Sequence, residues 1–179
     1  DERVALGIAR TFQNIRLFSS MTVLENVKLG FHARTKTSWI QAMLRWQLTN
    51  QEEKETDAAA RDLLDDLDLS DLADENAKNL AYGNQRRLEI ARALASRPQL
   101  LLLDEPAAGL NEAESKELIG RIRTIRSQGI TVIIVEHDMR LVMNLCDRIT
   151  VLAHGEKIAE GTPQEVQNDQ RVRVEYLGK

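Results

Sequence analysis

Four consecutive leucines, Leu100 to Leu103, and the run of β-branched residues at 130–135 (ITVIIV) most constrain how this chain folds. Neither run alternates apolar with polar residues, so each is expected to be a strand buried on both faces, as in a parallel sheet. The segment between them carries the marks of a helix. Asn111 stands at the N-cap with Glu114 at the third helical position, Leu118, Ile122 and Ile125 form an inner stripe, and Gly129 follows the end. Strand, helix and strand in that order point to the α/β class.

The same signals organise the rest. Residues 148–152 and 157–160 read as two strands joined at His154-Gly155, a hairpin, and Thr162-Pro163-Gln164-Glu165 starts a last helix with a capping box and Pro at its first position. Upstream, residues 52–72 have a helical rhythm with Leu63, Leu64 and Leu67 on one face. Residues 85–96 form a second helix ended by Arg97-Pro98. Trp39, Met43 and Trp46 fall at i, i+4, i+7, a third helical stripe. The expected organisation is an α/β segment over 1–35, a helical block over 36–97 inserted into it, and a resumed α/β layer over 98–179.

Composition removes several functions. With 42% apolar and 29% charged residues the 179-residue chain can build one core. Lys and Arg number 24 against 28 Asp and Glu, a net charge of −4, which argues against a dedicated nucleic-acid binder. No apolar run approaches the roughly 20 residues of a spanning helix, so a membrane role is expected to be peripheral. Cys146 is the single cysteine and permits no intramolecular disulfide, and a reducing compartment is the simplest expectation.

Candidate chemistry collects where strands end. Asp104 and Glu105 follow the leucine run, at the edge of a parallel sheet where ligands bind. Adjacent acids there are costly to desolvate unless they meet a cation or a reacting water. Asp104 then holds Mg²⁺ and Glu105 polarises the water; the plainer reading is a strand followed by an acidic helix start. His137 follows the second strand, so it is expected near Glu105 on the same edge, able to bond a phosphate oxygen; a lone histidine is otherwise structural. Gly83, within Leu80-Ala81-Tyr82-Gly83-Asn84-Gln85, precedes a strong helix and suits an anion at a helix N-terminus, or simply a turn and cap. Gln13, after the short segment Ile8 to Arg10, suits both metal and water, although a surface glutamine is the default.

These pieces in this order resemble the nucleotide-binding subunit of an ABC transporter, over essentially the whole chain. The resemblance implies a P-loop NTPase-like ABC ATPase core with an inserted α-helical subdomain. It makes Gln13 the Q-loop glutamine and a metal contact, and Asp104 the Walker B metal ligand. Glu105 and His137 become the catalytic glutamate and switch histidine, and Ala81, Tyr82, Gly83, Asn84, Gln85 and Asn111 contact ATP from the signature and D-loop. Residues 7–18 (GIARTFQNIRLF), 21–27 (MTVLENV), Ala107-Ala108-Gly109-Leu110-Asn111 and the segment from Gly161 to Gly178 are similar to the ATPases of branched-chain amino-acid importers. Lipopolysaccharide-export ATPases share several pieces and give an alternative, as do non-transport ABC ATPases and a binding module without hydrolysis.

The sequence also departs from the family pattern. Ala81 and Tyr82 replace the usual serine and glycine of the signature, Asn84 is shorter than the usual glutamine, and Asn111 stands where aspartate is usual. No Gly-x-x-x-x-Gly-Lys-Ser/Thr occurs, so the Lys and N–H cradle for the phosphates are not in these residues. The chain is therefore expected to be a piece lacking its first strands and P-loop, binding ATP and Mg²⁺ fully only in the intact protein. The partners implied are a second ATPase subunit, transmembrane permease subunits and, indirectly, a substrate-binding protein, at the cytoplasmic face of the membrane and without nucleic acid. Trp39, Met43 and Trp46 line a permease groove or pack the helical block.

Overall fold

The computed structural model describes residue 4 and residues 6–32 and 46–176. The expected stripe of Trp39, Met43 and Trp46 lies outside the described side chains. Two compact units divide the chain, Asp1–Val135 and Glu136–Lys179.

The first unit is built on a three-stranded parallel sheet in the order β1 (Ile8–Arg10), β2 (Leu100–Asp104), β3 (Thr131–Val135). Ile8 pairs with Leu100, Leu100 with Thr131 and Asp104 with Val135, so the C-terminal ends of all three strands lie along one edge. The central strand buries Leu101 and Leu103 almost completely. The expectation of two-sided burial fails for β3. Ile133 and Val135 are 48% and 60% exposed, and Thr131 points the same way. An unbroken apolar run does not reveal how many faces are covered, and among the described residues only the alternate positions Val132 and Ile134 gain cover.

Among the described residues, four α-helices of two turns or more complete this unit: α1 (Val23–His32), α2 (Trp46–Asp66), α3 (Tyr82–Ala95) and α4 (Glu112–Ser127). A reciprocal pair of hydrogen bonds between Thr22 and Glu25 starts α1. Asn26, fully buried, accepts from the Phe18 N–H and donates to the Phe18 and Thr22 carbonyls, tying the preceding loop to the helix. The helix expected over 52–72 stops at Asp66, because Asp68 takes a left-handed φ of 51°, and one 3-10 turn at Ser70–Leu72 follows. Conversely α3 begins at Tyr82, earlier than Gln85, so Gly83 lies inside its first turn. The capping box of Asn111 and Glu114 and the buried Leu118, Ile122 and Ile125 of α4 are as expected.

The second unit contains α5 (Met139–Leu145), the antiparallel pair β4 (Ile149–Ala153) and β5 (Glu156–Gly161), α6 (Pro163–Asn168) and α7 (Gln170–Tyr176). His154 and Gly155 both take positive φ, 50° and 81°, between the paired Ala153 and Glu156, the geometry of a tight two-residue hairpin. Val142, Ile149, Val151, Ala159, Val166 and Val172 form its core. The last helix starts at Thr162 with the expected capping box but is interrupted at Asp169, which accepts the Arg171 N–H and begins α7.

Two predictions follow from this packing. A Cβ at Gly30 would lie 2.3 Å from the Arg92 carbonyl oxygen, so α1 and α3 meet too closely for a side chain. Gly30→Ala is expected to cost about 1–3 kcal/mol, read as a fall in urea midpoint. The Arg171 guanidinium and backbone N–H hold the Asp169 carboxyl down from 3.8 to about 2. A depressed carboxyl contributes stability that is complete above its unfolded value and is lost as pH falls through the folded one. An NMR titration is therefore expected to place the Asp169 midpoint near 2, and Arg171→Ala to return it towards 3.8.

Candidate functional site

The sheet edge brings together residues far apart in sequence. β1 and β2 are parallel neighbours, and their pairing continues when the Thr11 N–H donates to the Leu102 carbonyl at 2.9 Å. Gln13 thereby reaches Glu105, donating from Nε2 to Oε2 at 2.9 Å. Asp104, one residue earlier, pairs with Arg10, Nη2 to Oδ2 at 2.9 Å, with its side chain 27% exposed. Glu105 takes a left-handed φ of 44° while its N–H donates to the Val135 carbonyl at 2.9 Å. Such a conformation costs a non-glycine residue about 1–3 kcal/mol and gathers at functional positions. It turns the glutamate off the strand direction towards Gln13.

The first turn of α3 forms the second part. Ala81 caps this helix without any side-chain hydrogen bond, so its leading N–H groups are not engaged by a cap side chain. The Gln85 amide folds back to donate to the Leu80 carbonyl, and Asn84 accepts from the Arg87 guanidinium, which also pairs with Glu117 at 2.7 Å. This turn abuts the segment after β2. A Cβ on Gly83 would lie 3.1 Å from Glu114 Oε1, and one on Gly109, at a φ of 79°, 3.1 Å from the Tyr82 ring. Asn111 uses its carbonyl oxygen to cap α4, accepting from the Ala113 and Glu114 N–H groups. A cavity of about 20 Å³ beside Gly83 and Leu110 holds roughly one water, too small for a nucleotide phosphate chain.

Sequence reasoning overlooked Arg86 and Glu89. Arg86 is 0% exposed and Glu89 2%. Arg86 donates from Nη1 to the Phe12 carbonyl at 2.8 Å and to Glu89 Oε2 at 3.0 Å. From Nη2 it donates to the Gln13 carbonyl at 2.9 Å and the Tyr82 hydroxyl at 3.2 Å. Glu89 Oε1 accepts the N–H groups of Phe12 and Arg16, each at 3.4 Å. The available signal was the position of Arg86 four residues before Ile90 and eight before Leu94, on the buried stripe of α3.

His137 belongs to the second unit. Its side chain is 73% exposed, and its N–H donates to Glu136 Oε2 at 3.2 Å.

The residues can be tested against the groups they were expected to hold. Mg²⁺ takes one or two carboxylates and fills its shell with water and phosphate oxygens. Asp104 fits as that single carboxylate, with Arg10 competing for it. Among the described residues no group of three His, Cys, Asp or Glu side chains is arranged to hold a metal. The uncapped first turn of α3 fits a phosphate.

The glycine between these parts supplies a prediction. Gly109→Ala places a Cβ in a left-handed residue and against the Tyr82 ring. It is expected to lower stability by about 1–2 kcal/mol, measured by denaturant unfolding.

Comparison with known proteins is consistent with this geometry. Residues 2–108 match the family model described as "ABC transporter", and residues 156–179 one described as "Branched-chain amino acid ATP-binding cassette transporter". The chain is 41% identical over 174 residues to the high-affinity branched-chain amino acid transport ATP-binding protein BraF of Pseudomonas aeruginosa, covering 97% of this chain and 68% of that protein. It is 43% identical over 175 residues to the corresponding protein LivG of Escherichia coli K12, covering 97% and 69%. The crystal structure of the ADP conformation of MJ1267, an ATP-binding cassette of an ABC transporter, superposes with a TM-score of 0.80 at 31% identity, over 99% of this chain and 71% of that one. The chain belongs to the ABC transporter family of ATP-binding ATPases.

Proposed function

We propose that this chain works as the ATP-hydrolysing subunit of a branched-chain amino-acid transporter. The observation that carries the reading is the Gln13–Glu105 hydrogen bond at the sheet edge, beside the Asp104 carboxylate. A water placed against Glu105 passes its proton to that carboxylate as its oxygen bonds to the terminal phosphorus of ATP and the bond from that phosphorus to the bridging oxygen breaks, releasing ADP, while the Gln13 amide orients Glu105. Asp104 and Gln13 are the residues to hold Mg²⁺, which when bound neutralises charge building on the phosphate oxygens. His137 is assigned the contact with the transferred phosphoryl group. Ala81 to Gln85, with Asn111 nearby, present the first turn of α3 to the nucleotide of a second subunit. In this reading residues 1–35 and 98–179 carry the hydrolytic side chains, and 36–97 carry the signature turn and the coupling to permease subunits.

The substrate class rests on the two relatives and on the match over 156–179. Attachment to the membrane is assigned to the permease partners, since no helix among the described residues is long and apolar enough to cross a bilayer.

Two experiments test this. Glu105→Gln in the gene product carrying these residues is expected to lower ATP hydrolysis by about 10²- to 10⁴-fold with the fold intact, and retained activity would overturn the assignment. The 179 residues alone contain no Gly-x-x-x-x-Gly-Lys-Ser/Thr. Calorimetry with ATP and Mg²⁺ is expected to show binding weaker than micromolar.

A further inference from the structure

The segment that carries Gln13 is held by α3 through a buried ion pair. Arg86 and Glu89 bond four of its main-chain atoms: the Phe12 N–H and carbonyl, the Gln13 carbonyl and the Arg16 N–H. Arg92, two turns further along α3, adds a bond to the Arg16 carbonyl. The same Arg86 guanidinium bonds the Tyr82 hydroxyl, and the Tyr82 ring lies against Gly109. One planar group therefore touches the helix start offered to phosphate and the loop whose side chain orients Glu105. A lysine ammonium has too few donors, in the wrong geometry, to reach two carbonyls, a hydroxyl and a carboxylate together. Burial leaves the pair little slack, since neither charge has water to turn to when a bond is lost.

We propose that Arg86, oriented by Glu89, is a positioning residue for hydrolysis. It sets the Gln13 main chain so that its amide meets Glu105, and it links that contact to the first turn of α3. Neither Arg86 nor Glu89 touches the reacting atoms; both act through Gln13. The inference rests on the function proposed above, but its main-chain part is measurable without ATP.

The test uses Arg86→Lys and Glu89→Gln in the gene product carrying these residues, with amide exchange and steady-state kinetics as readouts. Exchange at the Phe12 and Arg16 amides is expected to rise at least about tenfold, while the Leu101 and Leu103 amides of β2 keep their protection. The kcat for ATP is expected to fall about 10- to 100-fold with KM held within about twofold. Should either single variant fail to fold, the double variant Arg86→Met/Glu89→Leu replaces the pair by apolar side chains and restores the fold. It is expected to keep the low kcat, since it does not hold the Gln13 carbonyl. A folded double variant with the wild-type kcat would reduce the pair to a structural role and overturn the proposal. Unchanged exchange at Phe12 and Arg16 in both single variants would overturn it as well. If the unaltered gene product hydrolyses no ATP, the proposed function falls, and the amide exchange alone decides whether the pair positions this loop.

Discussion

An arginine without access to water holds the first unit's working parts together. Moving a guanidinium and a carboxylate from water costs several kcal/mol per ion, and only a set of several charge-assisted hydrogen bonds offsets it. Arg86 and Glu89 obtain that set from main-chain groups more than 70 residues away, so the pair becomes stable only when α3 and the 12–16 loop are both in place. The charge that makes the site costly is also what makes its geometry single-valued.

The sheet does the complementary work. Parallel pairing puts the ends of β1 and β2 on one edge, and the short chain beyond each strand then decides which side chains meet. Glu105 leaves β2 in a left-handed conformation with its N–H still bonded to Val135, so main-chain geometry and the Gln13 amide together aim the carboxylate. Gly109 and Gly83 extend the arrangement by letting the segment after β2 and the start of α3 approach without intervening Cβ atoms. The carboxylates, the glutamine and the helix start thus rest on strand pairing, a buried ion pair and two bare glycines.

Much of this was legible from the chain. The caps at Asn111 and Thr162 and the turn at His154-Gly155 are local chemistry, set by residues within a few positions of one another, and they appear where expected. The acidic pair after the leucine run marks a candidate site because two adjacent carboxylates are out of place at the end of a buried strand. Less legible were features that depend on distant partners. Arg86 and Glu89 are spaced like an ordinary surface ion pair, and nothing within α3 shows that the facing surface is a loop of unpaired main-chain groups. The exposure of Ile133 and Val135 was hidden because a β-branched run looks alike whether one or two faces are covered. The break at Asp68 was missed because aspartate is tolerated in helices as well as in the left-handed turn it takes here.

By itself the sequence determined the α/β class, the caps at Asn111 and Thr162 and the hairpin, and it singled out the acids and the amide proposed to carry the chemistry. These follow from side-chain preferences acting over one or two turns of chain. Only the tertiary structure decided that Gln13 meets Glu105, that Arg10 pairs with Asp104 and that Arg86 is buried. Each of those depends on strand order and on helix placement against the sheet, which no local propensity encodes. The reason is energetic: burying an ion pair is acceptable only after distant backbone donors and acceptors have been brought to it.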